Sequence, residues 1–226
     1  MDWGRTLRLL RQHYSEGKWR VPQLRPVRGD PFRVLISTVL SQRARDEATV
    51  RASQRLFERY PDATTLSRAS LADIARLTRN VGLSNTKVRA IREVSRQIVE
   101  RFSGVVPGNI DDLLSLPMVG RKTANCTLVF GFGVPAIPVD RHIHRVSNRL
   151  LGTRVDSPDD TERLLTRLVP RRYWAQLNPV LVQHGQNICN ALRPRCGVCP
   201  VLANCSYGRA HESDRHRSGP RRGSTR

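Results

Sequence analysis

Lysine is nearly missing from this chain of 226 residues: of its 39 basic residues, three are lysine (Lys18, Lys87 and Lys122) and 36 are arginine. A GC-rich genome favours arginine codons and accounts for most of that ratio. A lysine that persists against it is a candidate for chemistry that needs an amine. Acidic residues are also scarce, 19 in all, which leaves a formal net charge of +20. So large a bias calls for a polyanionic partner, nucleic acid first and an anionic membrane second. The longest uncharged run, residues 123–139, is broken by Gly131, Gly133, Pro135 and Pro138, which excludes a helix that spans a bilayer. No secretory signal opens the sequence, so a soluble cytoplasmic protein is expected. There are only five cysteines, and four of them fall within residues 189–205. A disulfide framework would spread them through a small secreted chain, so the clustering favours ligation of a metal or cluster.

The length allows one large domain or two smaller ones with ordinary cores. Strict alternation of polar and apolar residues is absent, whereas apolar residues recur at helical spacing. Behind Asp30 as N-cap and Pro31 at the first helical position, Phe32, Leu35, Ile36, Val39 and Leu40 share a face. Val88, Ile91, Val94, Ile98 and Phe102 repeat the pattern, and Gly104 supplies a stop. The same reading predicts helices over 71–77, 110–116, from 122 onward, and over 140–151, 157–168 and 173–185. The class is all-α. From about Gly208 the chain loses its apolar residues and reads as a disordered basic tail.

Within LPMVGRKTANC (residues 116–126) a helix breaks at Pro117 and another starts by Lys122. So short a connection presents consecutive backbone N–H groups and a helix N-terminus to one point, an arrangement suited to a phosphate, with Arg121 adding charge. A plain helical hairpin with a solvated lysine is the competing reading. Asp140 precedes an amphipathic run carrying Ile143, Val146 and Leu150, which makes it an N-cap candidate. His142 and His144 diverge on a helix and are read as structural. Cys189, Cys196, Cys199 and Cys205 have the spacing C-x6-C-x2-C-x5-C, which thiolate chemistry allows for zinc or for an iron–sulfur cluster. Arg193 and Arg195 lie inside the longest interval. Cys126 stands apart and reads as a core thiol.

LPMVGRKTANC resembles the helix-hairpin-helix motif of the endonuclease III family of DNA glycosylases, and PAIPVDRHIHRVSNR (residues 135–149) resembles the segment that follows it there. The cysteine spacing matches that family's 4Fe–4S loop. The similarity runs from about Pro31 to Cys205, and LSQRARD resembles the archaeal-type branch in particular. The resemblance implies two helical lobes with a DNA cleft between them: residues 25–135 as a six-helix lobe, residues 1–24 plus 136–206 as the cluster lobe, and 207–226 as the tail. It implies a monomeric, nucleoid-associated base excision repair enzyme on double-stranded DNA with a damaged base or an abasic site. By the same resemblance Lys122 is the nucleophile, Asp140 its partner, and the four cysteines hold a 4Fe–4S cluster. The hairpin residues Pro117, Met118, Val119, Gly120 and Arg121 contact DNA, while Gln42 or Arg43, together with Leu83, fills the gap left by the extruded nucleotide. Arg193 and Arg195, from their place in the cysteine interval, are read as contacts to phosphates. The amine chemistry fits, because a neutral lysine can attack the sugar C1′ and an arginine cannot. The reading is a bifunctional glycosylase and AP lyase for oxidised pyrimidines of the thymine glycol type. A monofunctional mismatch glycosylase would not need Lys122, and a non-catalytic, cluster-bearing DNA-binding protein would leave Lys122 and Asp140 unexplained. Three positions depart from the family pattern: Met118 for the first hairpin glycine, Arg141 for the threonine after the aspartate, and Ser84 for a frequent aromatic.

Overall fold

The structure is a computed structural model. It describes residues 1–15, 27–42, 44, 46–79, 81 and 84–210, without the side chains of Asp46 and Ser84. Every regular element among the described residues is helical. They are α1 (Trp3–Tyr14), α2 (Pro31–Ser41), α3 (Asp46–Arg59), α4 (Ala63–Ser67), α5 (Leu71–Leu77), α6 (Ser84–Phe102), α7 (Ile110–Leu114), α8 (Arg121–Cys126), α9 (Arg141–Leu151), α10 (Pro158–Leu168) and α11 (Trp174–Asn187). A π-helical stretch, Thr127–Gly131, prolongs α8. No described helix is long and apolar enough to cross a membrane. The chain divides into two compact units, Val21–Pro138 and Met1–Arg20 with Val139–Arg226.

In the unit Val21–Pro138 the core is continuous. Leu35, Ile36, Val39 and Leu40 of α2, Ile91, Val94 and Ile98 of α6, Leu113 of α7 and Ala124 of α8 all belong to it. The local signals explain most of the boundaries. Asp30 caps α2 by accepting the Arg33 N–H at 2.9 Å, with Pro31 preset for the first turn. Asn109 does the same for α7, which ends at Leu114, two residues before the expected end. Apolar periodicity does not mark α3 and α4. On the buried face of α3, Thr49, Ala52, Ser53, Leu56 and Phe57 follow helical spacing, but two of the five are polar, and this dilutes the apolar signal. Gly131 sits where a Cβ would come within 2.7 Å of the Pro31 Cα, so only glycine allows the π-helical stretch to lie this close to the start of α2.

In the other unit, Trp3, Leu7 and Leu10 of α1 are buried together with Ile143, Val146 and Leu150 of α9 and Leu177 and Leu181 of α11, and α11 packs on both α1 and α9. Ser157 caps α10 and Asp140 caps α9. The structured chain continues past the expected start of the tail. Residues 206–210 form a helical turn, the Arg149 guanidinium lies 4.8 Å from the Tyr207 ring centroid, and Gly208 is buried, with its N–H donating to the Cys205 sulfur at 3.3 Å. A Cβ at Gly208 would stand 2.8 Å from Leu202 Cδ1. Close packing by a residue without a side chain is invisible to a reading based on apolar content. The rest of the tail, 211–226, lies outside the described residues.

Candidate active site

The turn between α7 and α8 is as short as the sequence indicates. Leu116 and Val119 are buried, whereas Met118 and Gly120 are exposed and Pro117 is partly so. Met118 adopts φ +57°, the left-handed region, so a residue with a side chain is held here in a strained backbone. The Val119 N–H donates to the Leu116 carbonyl at 3.2 Å, and the Met118 carbonyl accepts from Gln42 Nε2 at 3.2 Å. Gln42 therefore joins the end of α2 to the hairpin. Since the Met118 side chain is 40% exposed, it contributes little packing to set against the strain. Met118→Gly should raise the unfolding free energy by about 1 kcal/mol, measured by urea denaturation. A loss of stability instead would show that the methionine side chain contributes more than its backbone costs.

Gly120 caps α8 with φ −88°, a conformation open to any residue. A Cβ there would meet nothing within 4 Å. Neither the backbone nor the packing of this chain therefore requires glycine at the mouth of α8, and the bare backbone remains open to a ligand. Arg121 is exposed beside it, and Lys122, partly buried, occupies the first turn of α8. Cys126 is 1% exposed, a core thiol. Arg43 and Leu83 lie outside the described residues, and so does the side chain of Ser84, whose backbone opens α6.

Asp140 belongs to the other unit. Its Oδ1 accepts the N–H groups of His142 at 2.8 Å and Ile143 at 2.9 Å, a full N-cap that engages one oxygen and leaves Oδ2 outside the cap. Arg141 is exposed next to it. His142 Nδ1 lies 3.2 Å from Arg145 Nη2, and His144 Nδ1 lies 2.7 Å from Thr161 Oγ1, both structural contacts within the unit.

Cys189, Cys196, Cys199 and Cys205 line one cavity, together with His184 and Arg149. Among the described residues no set of three or more His, Cys, Asp or Glu side chains already stands in a metal-holding arrangement. The surroundings of the sulfurs nevertheless fit a thiolate-bound group. Gly208 N–H points to Cys205 Sγ at 3.3 Å, Arg149 Nη1 to Cys189 Sγ at 3.4 Å, and His184 Nε2 stands 3.7 Å from Cys199 Sγ. Burial pushes the Cys199 thiol up to about 11 and also raises that of Cys205; a bound cationic centre offsets that penalty and deprotonates its ligands. Arg145 and Arg149 brace the loop from α9. They donate to the carbonyls of Cys189 (3.1 Å) and Gly185 (2.9 Å), and of Asn190 (2.6 Å) and Ala191 (2.8 Å), respectively. Sequence reasoning misses these two arginines, because nothing local separates them from 34 others. Arg193 and Arg195 are both exposed on the loop.

Residues 36–171, more than half of the chain, match the family described as HhH-GPD superfamily base excision DNA repair protein. The fold and the hairpin thus define a base excision repair protein of the helix-hairpin-helix class. The endonuclease III of Thermotoga maritima is 45% identical over 180 residues, 80% of this chain and 84% of that protein. A solved non-covalent endonuclease III–DNA complex superimposes with a TM-score of 0.81 at 32% identity, covering 93% of this chain and 96% of that one. A trapped endonuclease III–DNA covalent intermediate, an estranged-adenine complex, gives 0.80 at 32% identity, covering 92% and 96%. The chain belongs to the endonuclease III family of this superfamily, and its activity is that of a DNA glycosylase and AP lyase.

Proposed function

We propose that this enzyme removes oxidised pyrimidines of the thymine glycol type from double-stranded DNA, acting as a monomer and using Lys122 as nucleophile and Asp140 as its carboxylate partner. The observation that carries the reading is the placement of Lys122, an amine in an arginine-rich chain, in the first turn of α8 directly behind the open backbone of Gly120. That a relative 32% identical was trapped covalently on DNA supports a nucleophile of this kind.

In the proposed reaction the N–H groups of the hairpin and Arg121 hold a phosphate. Neutral Lys122 Nζ attacks C1′, the N-glycosidic bond breaks and the base leaves with a proton. The sugar ring then opens to the Schiff base. Loss of a C2′ proton expels the 3′ phosphate by β-elimination, and water hydrolyses the imine to return the free amine. The Asp140 carboxylate, held rigidly by its cap, stabilises the positive charge that develops at the sugar. Cys189, Cys196, Cys199 and Cys205 would hold a 4Fe–4S cluster, which ties the loop together, so that Arg193 and Arg195 are presented to the backbone of the DNA. A base must leave the stack before it can be excised, and in this reading Gln42 or Arg43, together with Leu83, fills the gap that remains.

Borohydride trapping on duplexes carrying thymine glycol, a thymine or uracil mismatch, or an abasic site tests the reading. Adduct is expected with thymine glycol and the abasic site; activity confined to the mismatches would replace the oxidised-pyrimidine assignment, and no adduct with any substrate would remove it. Purified protein should be yellow-brown, with about four iron and about four sulfide per chain, as a 4Fe–4S centre requires. Colourless protein with a single zinc would refute the cluster.

A further inference from the structure

Lys87, the second described lysine, is only 2% exposed. Its Nζ donates to the carbonyl of Leu40 at 2.7 Å and to that of Val81 at 3.0 Å. Burial alone pushes its ionisation below the ordinary lysine range, and the energetic cost of burying an ammonium demands a return elsewhere. Elsewhere the chain clamps carbonyls with guanidinium groups. Arg55 does so at Leu77, Arg145 at Gly185 and Cys189, and Arg149 at Asn190 and Ala191. Lys87 has a compact head instead, able to sit between two carbonyls that a planar fork would force apart.

What those carbonyls belong to gives the position its meaning. Leu40 lies in the last turn of α2, whose carbonyls have no intrahelical partner, and Gln42 follows two residues later and bonds to Met118 of the hairpin. Val81 immediately precedes Gly82 and Leu83 in the chain. One ammonium in the first turn of α6 thus holds both the end of α2 and the backbone of Val81. Through Gln42 the same helix end reaches the turn that precedes α8 and Lys122. All of these contacts lie within the unit Val21–Pro138.

We propose that Lys87 is a positioning residue for nucleotide extrusion: by tying the end of α2 to the backbone of Val81 it fixes the turn that bears Gln42, a residue assigned above to the gap in the DNA stack. The inference rests on the glycosylase reading above and on the assignment of Gln42 to lesion access. Lys87 touches no reacting atom. Its effect should appear in steps that require an opened duplex and be absent from those that do not.

The test compares wild type with Lys87→Met, which keeps length and removes the donors, and Lys87→Gln, which restores a neutral donor; Lys87→Gln carries the comparison should Lys87→Met fail to fold. Single-turnover excision from a thymine glycol duplex should fall about 100-fold in Lys87→Met, the size of a misplacement of about 1 Å. Schiff-base trapping on an abasic site in single-stranded DNA, where nothing must be extruded, should stay within about threefold of wild type. Lys87→Gln should recover part of the duplex rate while leaving the single-strand rate alone. Equal losses in both assays would reduce Lys87 to a general stabiliser and overturn the proposal, as would an unchanged duplex rate. A third measurement needs no chemistry: the fluorescence of 2-aminopurine next to a tetrahydrofuran abasic analogue in a duplex. Wild type should enhance it on binding and Lys87→Met should not, at similar DNA affinity; an enhancement kept by Lys87→Met would overturn the proposal. Should wild type form no adduct with any substrate, the glycosylase reading fails by itself, and this fluorescence difference still decides the role of Lys87.

Discussion

Lys122→Ala should lose the borohydride-trapped adduct on thymine glycol and abasic duplexes altogether, with strand cleavage falling at least about 10⁴-fold, the scale on which removal of a covalent nucleophile acts. DNA binding should persist, because the open backbone at Gly120 and the charge of Arg121 are untouched. Lys122→Arg makes the sharper comparison. It keeps the positive charge in a chain that uses arginine almost everywhere else, yet a guanidinium is not deprotonated and cannot form the imine. It should therefore be as inactive as alanine while binding DNA as well as wild type. An adduct that survives in either variant would mean that another amine attacks the sugar.

Asp140→Asn should lower single-turnover excision by about 10²- to 10³-fold, the range found when one preorganised electrostatic contact to a transition state is lost. Asparagine caps a helix as well as aspartate does, so the two bonds from His142 and Ile143 to the side-chain oxygen can be kept and the fold should be stable to within about 1 kcal/mol. DNA affinity should change by no more than about threefold, since the proposed phosphate contacts come from other residues. The substitution removes the charge and spares the cap. Unchanged turnover would leave Asp140 as a helix cap alone, and a turnover loss matched by an equal fall in melting temperature or in binding would point the same way.

The parts of this molecule legible in the sequence are those set by neighbours along the chain. Asp30 before Pro31, Ser157 before Pro158 and Asp140 before an amphipathic run announce their helices because capping is a matter of about three residues. The four cysteines announce a bound group by spacing, and Lys122 announces itself by being an amine where arginine is the rule. The same scarcity also picks out Lys87, yet nothing near it in the sequence shows that its amine is buried. Its partners are Leu40, 47 residues away, and Val81, across the start of α6. Arg145 and Arg149 are equally silent, being two arginines among 36 whose carbonyl partners lie some 40 residues further on.

From its sequence alone this protein is an all-helical, strongly basic, cysteine-clustered chain with a nucleophile candidate behind a tight hairpin, because helix caps, apolar periodicity, ligand spacing and side-chain chemistry are local properties. Only the tertiary structure decided that Met118 is held left-handed, that Gly120 is left open although nothing in the fold demands a glycine there, that Tyr207 and Gly208 close over the cysteine loop, and that Lys87 joins two distant turns through their carbonyls. Each of these depends on groups far apart in the chain being brought within a hydrogen bond or a van der Waals contact of one another, and such distances exist only once the core has packed.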